Sequence, residues 1–364
     1  MAGVPDHPDG SGPGRNEPEY EVIGGGMIDD QRRVANAPRS GQDPRTHPGT
    51  VFSTAIAAAW LSVRTSLTSW WFWVACALGI ALAWGTAAAF VSWGDTNGWF
   101  QGTVPGAVLL FMAAFLALTA AVLGTGWGFR HAGGSVLEML LAGTMRGMAL
   151  AAPAYTALLV VGFSMGGPIA LAGAAVVVIV LEAALFGLIG AGSRACFARA
   201  APGVALAGVL VVFLCFGNVA ITLLLLPGTT AMDQASVPVN VERDDSGRVI
   251  SYQCVGDLRP VEVAHTDRVA WVAASNPALL LGSVGADFVS TDNEVGWMLS
   301  GLQWAADGPS REVPCLGGES SAGRAPSVPV FLTGLALQAL AAAVVLVPGR
   351  WLRARRLSAS SGSG

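Results

Sequence analysis

Residues Ser69 to Trp93 read SWWFWVACALGIALAWGTAAAFVSW. The stretch carries no charge and is long enough to cross a bilayer, which takes about 20 apolar residues. Trp70, Trp71 and Trp73 stand at one end and Trp93 at the other, where an aromatic belt would anchor the two ends of a span. A helix of this length in water would carry a polar stripe, and this one has none. Similar stretches follow, and the spans they predict are 70–93, 104–128, 148–164, 168–191, 203–226 and 329–349. The third is the shortest.

The rest of the composition agrees. The 364 residues are 53% hydrophobic and 12% charged, with a mean hydropathy of +0.56, as in a polytopic membrane protein. All 20 basic residues are Arg. A chain with no Lys has neither a P-loop, whose Lys reaches the phosphates, nor a Schiff-base lysine. No CxxC spacing suggests a zinc site, and nothing points to nucleic acid or to a cofactor held by this chain.

The connections between spans set a topology. Residues 94–103 hold Asp95 and no Arg, whereas 129–147 hold Arg130, His131 and Arg146. The turn 165–167 is uncharged, 192–202 hold Arg194 and Arg199, and the C-terminal end holds Arg350, Arg353, Arg355 and Arg356. Arg-bearing connections alternate with Arg-free ones, so the positive-inside rule puts both termini in the cytoplasm of a multi-pass cell-membrane protein. Residues 1–49 lack apolar periodicity and read as a disordered cytoplasmic tail with no signal peptide. A second disordered tail is expected at 357–364. Within Val51–Leu67, Phe52, Ile56, Trp60, Val63 and Leu67 recur at spacings of three and four. They predict an amphipathic helix lying in the membrane interface ahead of the first span.

Residues 227–327 lie between the fifth and sixth spans and are expected outside, as a small folded cap. Val249–Val255 alternates like a strand, and Asp287–Trp304 has helical spacing. Cys254 and Cys315 would share an oxidising compartment there, and two such cysteines are expected to pair. The fold class is therefore all-α: six transmembrane helices, an N-terminal interfacial helix and a small extracytoplasmic domain. The division is 1–49 tail, 50–226 interfacial helix and five spans, 227–327 loop domain, 328–356 sixth span and basic end, and 357–364 tail.

Few residues within the spans are polar. Glu182 falls in the middle of the fourth, in VVVIVLEAALFGLIG. A charge at that depth costs roughly 2.5–3.5 kcal/mol on insertion scales, so the side chain should face protein or water, or carry a proton. Asn218 and Gln338 are its candidate partners; a polar contact on a substrate path is the functional alternative. Gly162-Phe-Ser-Met-Gly166 matches GxSxG but ends an apolar helix instead of joining strand to helix. An intramembrane serine hydrolase would need a histidine from another span, and His7, His47, His131 and His265 lie outside the spans. Gly124-Thr-Gly-Trp-Gly128 is a cluster suited to close helix packing.

An amphipathic cytoplasmic helix, six spans and a large loop between the fifth and sixth resemble the permease subunit of type-2 ABC exporters. Two stretches add to the likeness. Arg130-His-Ala-Gly-Gly-Ser-Val-Leu-Glu-Met-Leu-Leu141, then Thr144 and Arg146, resembles the family's coupling segment, although the acidic residue before the glycine and the later Lys are missing. His265-Thr-Asp-Arg-Val-Ala-Trp271 through Asn276-Pro277 resembles the T-(D/E)-R-x-x-W…N-P stretch of actinobacterial permeases of this class. The resemblance implies a non-enzymatic subunit that lines the translocation path. It also implies a cytosolic ABC ATPase partner carrying ATP and magnesium, and a second permease chain, identical or paralogous. Arg130, Leu137, Glu138, Leu140, Leu141 and Arg146 would then make the ATPase contact. The competing readings are a non-transporting sensor or scaffold and, behind it, the serine hydrolase.

Overall fold

The computed structural model describes residues 48–99, 104–243, 249–286, 294–320 and 328–361. The tail expected over 1–49 lies almost wholly outside these. Six described helices are long and apolar enough to cross a membrane: Trp70–Thr96, Gly106–Arg130, Val136–Met165, Ala170–Cys196, Ala200–Thr229 and Val330–Ala359. In chain order the elements are α1 Pro48–Leu67, α2 Trp70–Thr96, α3 Val104–Arg130, α4 Val136–Met165, α5 Ala170–Cys196 and α6 Ala200–Val212. A π-helical turn at Phe213–Gly217 joins α6 to α7 Asn218–Leu225. Then come β1 Thr230–Arg243, β2 Val249–Ala264, α8 Asp267–Ala273, α9 Pro277–Gly285, α10 Glu294–Asp307, α11 Pro309–Glu312 and α12 Val330–Ser361.

The helices are apolar on both faces. In α2 the residues turned inward are Phe72, Cys76, Gly79, Ala83, Ala87 and Val91, a single seam at three- and four-residue steps. The remainder of the helix presents Trp70, Trp71, Val74, Leu78, Leu82, Trp84 and Trp93 outward. An outward face built this way has no partner in water. It suits a hydrocarbon surround, where the backbone bonds are closed within the helix.

Packing is tightest around α5. Two-thirds of its apolar window (67%) is buried, against 22% for the α6–α7 span, so α5 is the axis and α6–α7 a flank. Small residues make this possible. A Cβ on Gly124 would stand 2.7 Å from the Ala183 carbonyl oxygen, and one on Gly128 would overlap the Gly187 carbonyl. Gly143 and Gly147 press likewise on Ala184 and Val180, and Gly349 of α12 presses on Gly192. The Gly124–Gly128 cluster is thus a contact surface, as expected from the sequence, because close backbone approach gives van der Waals gain where lipid offers no hydrophobic drive.

The third span differs from expectation. It is not the shortest: α4 runs 30 residues, and its first three turns take up residues expected in a connection. The polar residues that suggested a loop are used by the helix. Ser135 Oγ accepts from Glu138 N–H at 3.1 Å and Glu138 Oε2 from Ser135 N–H at 3.3 Å, a capping box. Gly134 precedes it at φ 94°, a conformation for which glycine is suited. The other end stops at Gly166, in the left-handed region, while Ser164 Oγ donates to the Val161 carbonyl at 3.1 Å. The GxSxG match is thus a helix stop.

The helix expected over Val51–Leu67 is present as α1. Ala55, Ala59 and Val63 are buried, and Ala59 and Val63 cluster with Ala142 of α4, whereas Phe52, Ile56, Trp60 and Leu61 point outward. Small residues set the contact; the large ones are left for the surroundings. At the other terminus, 357–361 are helical where a tail was expected. The run WLRARRLSAS contains helix formers and no breaker, so α12 continues past Pro348 to Ser361.

The segment between the fifth and sixth spans begins as a two-stranded antiparallel hairpin, β1 with β2, from Thr230↔Ala264 to Arg243↔Val249. Cys254 and Cys315 are disulfide-bonded, with Cα atoms 5.5 Å apart. The bond ties the hairpin to a short run that pairs with β1 through Ala235↔Leu316 and through Gly317 N–H to the Gln234 carbonyl. The strand expected at 249–255 is thus longer, and the helix expected over 287–304 is described from Glu294. The segment is not a separate cap, however. Leu280, Leu281 and Leu299 are buried in the same core cluster as Leu109, Met112 and Leu171, so α9 and α10 pack into the bundle. The three leucines of α9, Leu279 to Leu281, are consecutive, and an apolar run of this kind needs cover that α3, α5 and α12 supply.

Candidate functional site

Two polar places stand out in this apolar molecule. The first is a connected chain of buried side chains through the middle of the bundle. Glu182, at the centre of α5, is fully buried and accepts a hydrogen bond from Gln338 Nε2 of α12 at 2.8 Å. The same nitrogen reaches the Ser275 carbonyl at 3.0 Å. Ser275 Oγ in turn accepts from Asn218 Nδ2 at 3.0 Å, and Asn218 Oδ1 accepts from Asn276 Nδ2 at 3.3 Å. Asn276 Nδ2 also donates to the Cys215 carbonyl at 2.6 Å. Among the described residues, Glu182 Oε2 and Gln338 Oε1 have no hydrogen-bond partner.

Local structure explains why the parts meet. Asn276 caps α9: its Oδ1 accepts from Ala278 N–H and Leu279 N–H, and Pro277 follows at the first helical position. That turn sits against the backbone of Gly334, where any side chain would collide with the Ala274 carbonyl. The Cys215 carbonyl lies in the π-helical turn, a local widening frequent at functional sites. Both partners expected for Glu182 are therefore in the network, Gln338 directly and Asn218 at two removes. Ser275 and Asn276 were not foreseen as members, because their segment reads as an outer loop. In the same segment His265 lies between Asp233 (3.2 Å) and Asp267 (3.9 Å), and Trp271 Nε1 donates to the Arg268 carbonyl.

The second place is the end of the bundle bearing Arg130, Arg194, Arg353 and Arg356, here called the basic end. The residues expected in the coupling segment gather there but face different ways. Arg130 is exposed; Leu137, Glu138, Leu140 and Leu141 are half-buried. Leu140 packs on the Phe186 cluster and Leu141 on the Ala59 cluster, so only the first turn, with Val136 42% exposed, is presented outward. Arg146 is withdrawn from the surface at 2% exposure. It donates to the Ser62 carbonyl (3.1 Å), Ser62 Oγ (2.9 Å) and Ser66 Oγ (3.1 Å), fastening α1 to α4. Its role is that of a pin.

His131 completes this end, its Nδ1 3.0 Å from the Trp127 carbonyl oxygen. Burial holds its imidazolium below the usual histidine range against that hydrogen bond, with Arg146 and Arg130 adding to the effect. The net direction favours the neutral ring. Beside it opens a cavity of about 590 Å³.

Six apolar helices around a small-residue core, with a polar network buried inside, are consistent with a multi-pass membrane protein. No family model, curated protein or solved structure matches the chain.

Proposed function

We propose that this chain is the membrane-spanning permease subunit of an ATP-binding cassette exporter, driven by a separate cytosolic ATPase. The basic end then faces the cytoplasm, and the hairpin with its disulfide faces outward. A second permease chain completes the path. The observation that carries the reading is the construction of the basic end. The exposed first turn of α4 is stiffened by its capping box and joined to α1 through buried Arg146. A push on that turn is transmitted along 30 residues of helix whose glycines ride on α5, which carries Glu182. A rigid lever of this kind, at the basic end of the bundle, suits a subunit moved by a motor outside the membrane. The sequence resemblance to type-2 permeases supports the same assignment.

The test is ATP turnover and transport by the reconstituted chain with and without an ATPase that co-purifies with it. Leu137→Asp in the exposed turn is expected to release the ATPase and leave the bundle folded. Leu140 is the poorer choice, since it packs on Phe186. Hydrolysis by the chain alone, or transport with no ATPase present, would overturn the proposal. A folded chain that binds no ATPase and moves nothing would favour a sensor or scaffold.

A further inference from the structure

The cavity of about 590 Å³ at the basic end is lined by Arg130, Arg194, Arg353 and Arg356 together with His131 and Glu138. Four guanidinium charges thus converge on one space. Among the described residues none of the four is within 4.0 Å of a carboxylate. Glu138, the one acid in the lining, is occupied by the capping box. The guanidiniums are held in place by backbone. Arg356 Nη2 donates to the Ala195 carbonyl at 2.6 Å, Arg194 Nη1 to the Phe197 carbonyl at 3.1 Å, and Arg353 Nη1 to the Ala132 carbonyl.

Capping the carboxyl ends of α3 and α5 is a sufficient reason for some positive charge here. It does not account for the whole arrangement. A guanidinium has five N–H donors, and the contacts to the cavity wall take only one or two from each of Arg194, Arg353 and Arg356. The rest are left over at a preformed space lined by four arginines, and among the described residues its one acid, Glu138, is already engaged. Arginine placed in this way matches phosphate oxygens in both charge and fork geometry.

The surroundings choose among phosphate sources. Trp70, Trp71 and Trp73 lie exposed at the start of α2, and Phe52, Trp60 and Leu61 project from α1. Both groups belong to the chain segments that enter the bundle at the basic end. Aromatic residues of this kind sit at headgroup level, so the cavity opens at the depth of lipid phosphates. Basic pockets between helices at this depth are suited to anionic headgroups.

We propose that this cavity is a binding site for the headgroup of an anionic phospholipid, its phosphate held by Arg194, Arg353 and Arg356. The site rests on the membrane placement in the preceding section but needs neither an ATPase nor transport. Its test therefore uses the purified full chain alone. The protein is placed in nanodiscs of phosphatidylcholine with increasing phosphatidylglycerol, and both bound lipid and thermal midpoint are followed. Phosphatidylglycerol should raise the midpoint, saturating at a low mole fraction. Arg194→Gln with Arg353→Gln, which keeps a donor for each carbonyl, should weaken that binding about 10–30-fold. Arg350→Gln with Arg355→Gln removes the same charge from α12 outside the cavity and should change it less than about two-fold.

Equal responses to the two lipids, or equal losses in the two double variants, would overturn the site. Stabilisation of the same size by millimolar inorganic phosphate in pure phosphatidylcholine would assign the cavity to a soluble anion instead. Should the double variant fail to fold, the wild-type comparison of the two lipids still decides.

Discussion

At the scale of residues, the consequences turn on what each buried polar group would leave behind. Replacing Glu182 by Gln keeps the length and an oxygen for Gln338 Nε2 to donate to, so the network survives. Replacing it by Leu removes the acceptor and leaves the fully buried Gln338 amide with the Ser275 carbonyl alone. An unsatisfied buried group costs about 1–3 kcal/mol. Glu182→Leu should lower the thermal midpoint in detergent clearly and Glu182→Gln little; equal midpoints would show that the contact carries no weight. Arg146→Ala removes three donated bonds at once, each to a group on α1. Charged hydrogen bonds are worth about 1.5–3 kcal/mol, and the expected result is faster proteolysis within α1 while α2 to α5 stay protected. Unchanged digestion would mean that Ala59 and Val63 hold α1 without help. The two cases differ in legibility. Glu182 and Gln338 are visible in sequence because each interrupts an apolar run. The Arg146–Ser62 contact is not, since an Arg near the end of a span reads as a solvated surface charge.

Elements give a sharper experiment, because one short glycine cluster contains both packed and open positions. A Cβ at Gly124 would press on Ala183, and one at Gly128 on Gly187, whereas Gly126 has nothing within 4 Å. Gly126→Ala should be neutral or slightly stabilising, since it also gains helix propensity. Gly124→Ala and Gly128→Ala must push α3 away from α5, an overpacking of about 1–3 kcal/mol or more. Three equal outcomes would refute the α3–α5 contact. The sequence carries the spacing of such a surface but not its partner, which explains why close packing was legible and α5 as the axis was not. The start of α4 was misread for a related reason. Its polar residues serve a cap and a pin: the Ser135–Glu138 capping box is a local signal that the sequence carries, whereas the partners of Arg146 lie 80 and 84 residues away. The disulfide was read correctly, since two cysteines in one long segment have few alternatives. Its closure over 61 residues is worth about 4 kcal/mol in the chain-entropy account.

For the whole molecule the question is which end faces which compartment. The distribution of Arg argues for the basic end inside, because short connections rich in Arg are retained in the cytoplasm while long segments cross regardless of charge. The disulfide argues the same from chemistry, as such bonds persist in oxidising compartments. The packing of α9 into the bundle was hidden from the sequence: Leu279, Leu280 and Leu281 look like the core of a small domain until α3, α5 and α12 are seen around their helix. That packing leaves the number of spans at six, since α9, with nine residues, is too short to cross a membrane. Residues 244–248 join β1 to β2 and should therefore be outside. A cysteine at Ser246, in a chain with Cys254 and Cys315 replaced by Ser, is expected to react in intact cells with a membrane-impermeant maleimide. Cysteine placed at Ala198, beside the basic cavity, should react only after the membrane is opened. Protection of position 246 together with ready labelling at 198 would invert the topology. It would remove the ATPase-facing role proposed for α4 without touching the fold, because the packing of α5 against α3, α4 and α12 does not depend on which side is in.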